Sequence, residues 1–140
     1  MRTIDKIIIH CSATMPNQYC DVETITRWHK ARGFNTIGYH FFISREGTIC
    51  IGRPLSTAGA HCKGHNAHSI GICYEGGLNE KGEPADTRTL AQRLAMQDLV
   101  RQLLTRYPSA TVHGHCEFAA KACPCFDVQE WVKNSVRITL

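Results

Sequence analysis

No stretch of this chain approaches the roughly 18 consecutive apolar residues of a membrane-spanning helix, so membrane insertion is not expected. The amino terminus, Met1-Arg2-Thr3-Ile4-Asp5-Lys6, lacks the apolar core and the cleavage site of a secretory signal. Synthesis in the cytoplasm is therefore expected, where thiols stay reduced and the eight cysteines are mostly small buried hydrophobes rather than a disulfide framework. No CxxC pair occurs, which argues against a structural zinc module. No basic stripe occurs either. The 12 acidic residues are interspersed with the 16 basic ones, and a net charge of +4 suits an anionic polymer and weak nucleic-acid contact equally, so it decides nothing alone. Repeats, linkers and low-complexity tracts are absent, so the 140 residues are expected to form one domain, residues 1–140.

What is present alternates between two periodicities. The β-branched run Lys6-Ile7-Ile8-Ile9-His10-Cys11 predicts a buried strand, and residues 12–20, with Pro16 and Asn17, predict a loop. Asp21 is placed to cap a helix that carries Val22, Ile25, Trp28 and His29 at helical spacing and stops at Gly33. Residues 38–44 predict a second strand, 45–48 a turn and 49–52 its hairpin partner. Residues 53–69 form a long loop, a common seat of function, before a third core strand at 69–74. Thr87 is expected to cap a long helix with Leu90, Leu94, Leu99, Leu103 and Leu104 as its apolar face, ended at Tyr107-Pro108. Residues 110–115 read as a late strand, and Asp127 as the cap of a short terminal helix containing Trp131. Strands alternating with helices predict an α/β fold, a mixed sheet with helices packed on it.

The chemistry-bearing residues collect at strand ends and in the adjoining loops. A catalytic zinc takes three nitrogen or sulfur ligands and leaves a fourth position to water. Candidates are His10 at the end of the first strand, His113 and His115 at the end of the late strand, and Cys123 and Cys125 around Pro124. Cys11 is expected to point away from His10, because side chains alternate along a strand. Spacing alone does not choose between His113 and His115, nor between Cys123 and Cys125.

Five segments occur in order: Ile8-Ile9-His10-Cys11-Ser12-Ala13-Thr14; Trp28-His29-Lys30; Gly38-Tyr39-His40-Phe41; Ser69-Ile70-Gly71-Ile72; and His115 through Lys121-Ala122-Cys123-Pro124 with Phe126-Asp127 behind. Together they resemble the type 2 N-acetylmuramoyl-L-alanine amidases, the fold shared by amidase-type phage lysozymes and peptidoglycan recognition proteins. The resemblance runs from Lys6 to Trp131. It implies a zinc ion (Zn2+) held by His10, His115 and Cys123, since the family's second histidine stands eight residues before its cysteine. It implies Tyr39 and Lys121 as catalytic residues, and His61 and Asn66 as substrate-binding residues of the long loop. Cys116, Cys125, His65 and His68 depart from the family pattern, while His29 and His40 are read as structural.

The activity implied is hydrolysis of the amide between the lactyl group of N-acetylmuramic acid and L-alanine of the stem peptide. Peptidoglycan or muropeptides are the implied partners, and a monomer is expected. Three roles fit an enzyme expected to lack a leader: phage or prophage lysis after release, an effector delivered by a secretion machine, and wall recycling on cytoplasmic muropeptides; the sequence does not choose among them, and lysis is the working hypothesis. One alternative is a non-catalytic peptidoglycan-binding module, which would commonly lack the cysteine ligand. Another is a thiol hydrolase using Cys123 and His115, which would be indifferent to chelators.

Overall fold

The computed structural model describes residues 2–137. The apolar runs at 6–11 and 69–74 become the central strands, β1 (Lys6–Cys11) and β4 (Ser69–Tyr74), with the bounds predicted for them. They are flanked by β2 (Phe41–Ile43), β3 (Ile49–Ile51) and β5 (Thr111–Gly114), in the order β3-β2-β4-β1-β5. β2, β4, β1 and β5 are mutually parallel, whereas β3 returns antiparallel to β2. Parallel strands require crossover connections. α1 (Val22–Ala31) lies between β1 and β2 in the chain, and α2 (Leu90–Arg106) between β4 and β5. A short α3 (Val128–Trp131) runs into a π-helical turn, Val132–Val136. The α/β class and the mixed sheet are thus as the sequence predicts.

Alternation gives the sheet two unlike faces. Ile7, Ile9, Ile70, Ile72 and Tyr74 pack on one side against Met96, Leu99 and Val100 of α2 and against Val128 and Trp131 of α3. Each such side chain contributes about 1.5–3 kcal/mol by leaving water. On the other side a smaller cluster joins Phe42 and Cys73 to Ile25 of α1, with Cys20 and Ile37. Asp21 caps α1 as expected, accepting a hydrogen bond from the Thr24 N–H at 2.8 Å, and Gly33 follows the helix at φ 96°. Trp28, however, is exposed, and α1 buries Thr24, Ile25 and His29 instead.

Several boundaries differ from expectation by a residue or more, and two of the differences have a clear cause. The second strand begins at Phe41, because the Gly38 and Tyr39 carbonyls accept from the N–H groups of Ala60 and Arg53, in the long loop, rather than from a neighbouring strand. The cap of α2 is Thr89, not Thr87. The Thr89 hydroxyl accepts from the Gln92 N–H at 3.1 Å, while the Gln92 side chain accepts from the Thr89 N–H at 2.9 Å, a reciprocal capping box. Thr87 instead accepts from the Gly77 N–H at 2.8 Å. The buried face of α2 is Gln92, Met96, Leu99, Val100 and Leu103, so Leu90 and Leu94 lie exposed. Gln92 belongs to the buried face because its amide donates to the Glu75 carbonyl at 2.9 Å and the Ile43 carbonyl at 3.2 Å, which fixes the helix's rotation. No helix among the described residues is long and apolar enough to cross a membrane.

Candidate metal centre and its groove

The site lies at the carboxyl ends of β1 and β5. His10 is the fifth residue of β1, and alternation sends it away from the face of Ile7, Ile9 and Cys11. It is buried, and that burial, helped by the nearby His61, His115 and Lys121, holds its imidazole pKa well below the ordinary value. A neutral imidazole is the form that ligates metal. Its Nε2 lies 2.8 Å from Nδ1 of His61, and its Nδ1 faces Sγ of Cys123 at 4.0 Å.

β5 ends at Gly114, and the chain turns at once into a short 3₁₀ turn, His115–Glu117. This change of backbone separates the two candidate histidines. His115 swings toward His10, with ring centroids 4.6 Å apart. His113 stays on the strand, engaged with the Thr111 hydroxyl at 2.7 Å and the Glu117 carboxylate at 2.9 Å. Cys123 arrives from the following loop, where its Sγ accepts from the Cys11 N–H at 3.2 Å. Cys125 lies elsewhere, its Sγ 3.9 Å from that of Cys11.

One donor atom each from His10, His115 and Cys123 lies within 4.8 Å of the others. Ligand bonds of about 2.0–2.3 Å at tetrahedral angles place donors about 3.3–3.6 Å apart. The 4.0 Å between Cys123 and His10 is within half an ångström of that range. Two imidazoles and a thiol, with His10 held neutral, are a donor set suited to zinc and leave a coordination position free.

A groove of about 630 Å3 opens beside these residues. Tyr39 lines it, half-buried, its ring 5.0 Å from that of His10. Burial, and then the neighbouring thiols of Cys73, Cys123 and Cys11, push its phenol pKa well above normal, so it is protonated at neutral pH. Lys121 is exposed on the groove's wall. His61 and Asn66 border it too, but the Asn66 amide oxygen is engaged, accepting from the N–H groups of His61 and Cys62 at 2.9 and 3.0 Å. The structure therefore brings His10, Tyr39, His61, Asn66, His115, Lys121 and Cys123 to one place.

Sequence reasoning did not anticipate several other members of the wall. His29, read as structural, is indeed held by the Gly38 N–H, which donates to its Nδ1 at 2.8 Å, yet it also borders the groove. Arg32 and Lys63 add positive charge and Phe34 and Phe118 apolar surface. No spacing linked these residues; the Lys63 position in the long loop was the one available signal. His40 is structural as read, accepting from the Gly71 N–H at 3.1 Å and facing the Thr57 carbonyl at 2.8 Å.

Known proteins similar to this chain fall in one family. The family model described as N-acetylmuramoyl-L-alanine amidase matches residues 1–126. An endolysin of Escherichia phage T7 is 42% identical over 135 residues, covering 96% of this chain and 89% of the relative. An endolysin of Enterobacteria phage K11 is 41% identical over 134 residues, with the same coverage of each chain. Among solved structures, the N-acetylmuramoyl-L-alanine amidase LysC from Clostridium intestinale superposes with a TM-score of 0.82 at 31% identity, over 94% of this chain and 84% of that one. Drosophila PGRP-LB shares the fold, with a TM-score of 0.78 at 22% identity, over 99% of this chain and 88% of that one. With a family model spanning most of its length and relatives above 40% identity, the chain belongs to the N-acetylmuramoyl-L-alanine amidase family and is a hydrolase of that class.

Proposed function

We propose that the chain hydrolyses the amide bond between the lactyl group of N-acetylmuramic acid and the L-alanine of the peptidoglycan stem peptide, with zinc held by His10, His115 and Cys123, and that it serves cell-wall lysis as a single amidase domain. The observation that carries this reading is the convergence of those three donor atoms, within 4.8 Å, at the edge of the groove that holds Tyr39 and Lys121. The endolysin relatives supply the role in lysis.

Bound zinc would supply acidified water and polarisation of the scissile carbonyl at neutral pH. The protein's own groups do the rest. Tyr39, kept protonated by burial, acts through its O–H as a fixed hydrogen-bond donor and orients the reacting groups rather than serving as a base. Lys121 brings an ammonium to the oxygen on which negative charge develops, a contribution of about 3 kcal/mol in the transition state for one such donor. Arg32, Lys63 and Lys121 give the groove a positive wall suited to the carboxylates of a stem peptide, and Phe34 and Phe118 give apolar footing. His61 and Asn66 shape the wall between them.

Digestion of purified peptidoglycan with zinc-loaded protein, read by mass spectrometry, tests the reading. Free stem peptides beginning at L-alanine and intact glycan strands are expected. Activity is expected to vanish with a chelator and in Cys123→Ala. Cleavage within the glycan or the peptide would overturn the assigned bond. Full activity in the presence of the chelator would overturn the zinc site and favour thiol chemistry. Wall binding without cleavage by the zinc-loaded protein would favour the recognition module.

A further inference from the structure

His61 is 51 residues from His10 in sequence, yet its ring is the partner of the His10 imidazole. Its Nδ1 lies 2.8 Å from His10 Nε2, and its Nε2 lies 3.3 Å from the Ser69 hydroxyl. Both nitrogens of His61 are thus engaged inside the protein. A chain of three groups runs from β4 (Ser69) through the long loop (His61) to β1 (His10), and it can be protonated in two directions. In one, Ser69 donates to His61, His61 donates to His10, and the proton of neutral His10 sits on Nδ1, the nitrogen that faces Cys123. In the other, His10 Nε2–H donates to His61 Nδ1, His61 Nε2–H donates to Ser69, and His10 Nδ1 presents a lone pair toward Cys123. Only the second direction makes His10 a ligand.

The surroundings are built to seat this ring. A Cβ at Gly71 would come within 2.6–2.8 Å of three His61 ring atoms, and one at Gly59 within 2.6 Å of one of those three, Cδ2. A glycine of β4 and a glycine of the long loop therefore leave the slot that the His61 imidazole occupies. The backbone on either side of His61 is pinned as well, since Asn66 accepts from the N–H groups of His61 and Cys62. Ser69 is fully buried, so the far end of the chain is shielded from water.

We infer that His61 is a positioning residue for the metal centre: it accepts the His10 Nε2 proton, fixes His10 in the tautomer whose Nδ1 binds metal, and is itself held by Ser69, Asn66 and the Gly59–Gly71 slot. The inference rests on the zinc reading above and deepens it. It moves His61 from contact with substrate to support of a ligand, the outer layer that orients metal-binding histidines and raises their basicity.

The test measures zinc affinity by competition with a chromophoric chelator, in wild type, His61→Leu and His61→Asn. The leucine variant keeps bulk and removes the acceptor. The asparagine variant keeps an acceptor, Oδ1, at nearly the reach of Nδ1. Loss of about 10- to 100-fold in affinity is expected for His61→Leu, with at least partial recovery in His61→Asn. In the metal-free wild type, nitrogen-15 NMR of the imidazoles is expected to place the His10 proton on Nε2. Undiminished zinc affinity in folded His61→Leu would overturn the inference, and so would a His10 proton on Nδ1. The NMR measurement needs no substitution, so a variant that fails to fold does not decide the matter. A wild type that takes up no stoichiometric zinc would instead remove the metal reading itself, and is told apart because it appears before any residue is changed.

Discussion

The two faces of the sheet are made by the same strands and do different work. Toward α2 and α3, β1 and β4 present Ile7, Ile9, Ile70, Ile72 and Tyr74, all buried and nearly all apolar. Toward α1 the same two strands present Ile8, His10, Gly71 and Cys73, and the imidazoles of His29, His40 and His61 gather over them. One face is filled by side chains that need only volume. The other leaves a gap at Gly71 and fills it with a ring whose polar atoms must each find a partner. Stability is carried mainly by the first face and chemistry by the second, at one residue's remove along the strand.

The comparison can be broken by exchanging the penalties. Met96→Ala deletes a fully buried side chain from the first face, and a stability loss of about 2–5 kcal/mol is expected with activity per folded molecule unchanged. Lys121→Ala removes an exposed side chain from the groove, and the reverse is expected: a fall in kcat of about 100-fold, with an unfolding free energy within about 0.5 kcal/mol of wild type. Denaturant melts paired with single-turnover hydrolysis read both. An activity loss in Met96→Ala matching that of Lys121→Ala would show that the two faces are not separable.

A smaller effect sharpens the comparison through pH. His40, fully buried on the second face, has its pKa lowered to about 4, chiefly by burial. The unfolded chain therefore binds this proton at higher pH than the folded protein. The stabilisation is whole above about pH 6.5 and is lost as pH falls toward the folded value. Between pH 7.5 and 5 the zinc-free protein is expected to lose about 2 kcal/mol from this group, and His40→Gln to show a correspondingly shallower decline in urea melts. Equal slopes in the two proteins would remove His40 from the account.

The smallest effect concerns α2. Thr89→Ala removes a capping hydroxyl, and a loss of about 1 kcal/mol is expected in the same melts. This prediction separates the observed cap from the one expected at Thr87. Both threonines precede a helical pattern and both can cap. Thr87 is drawn away by the Gly77 N–H, a contact ten residues back in the chain that no local rule reveals.

Local sequence determined much of this protein. The β-branched runs at 6–11 and 69–74 became central strands because alternation and burial there agree with propensity. Asp21 and Asp127 capped the helices they precede because a cap is a contact within one turn. The order of the family motifs was enough to name His10, His115 and Cys123 together. Tertiary structure alone decided the rest. The face that α2 buries was set by Gln92 reaching two carbonyls of distant strands, which left Leu90 and Leu94 in water despite their hydrophobicity. The separation of His113 from His115 was set by where β5 stops pairing with β1. The pairing of His61 with His10 joins parts of the chain 51 residues apart through a slot made by two missing side chains. Propensities, caps and periodicities act over a few residues and can be read along the chain. Partnerships between buried polar groups depend on which strands become neighbours, and that is fixed only when the sheet closes its order.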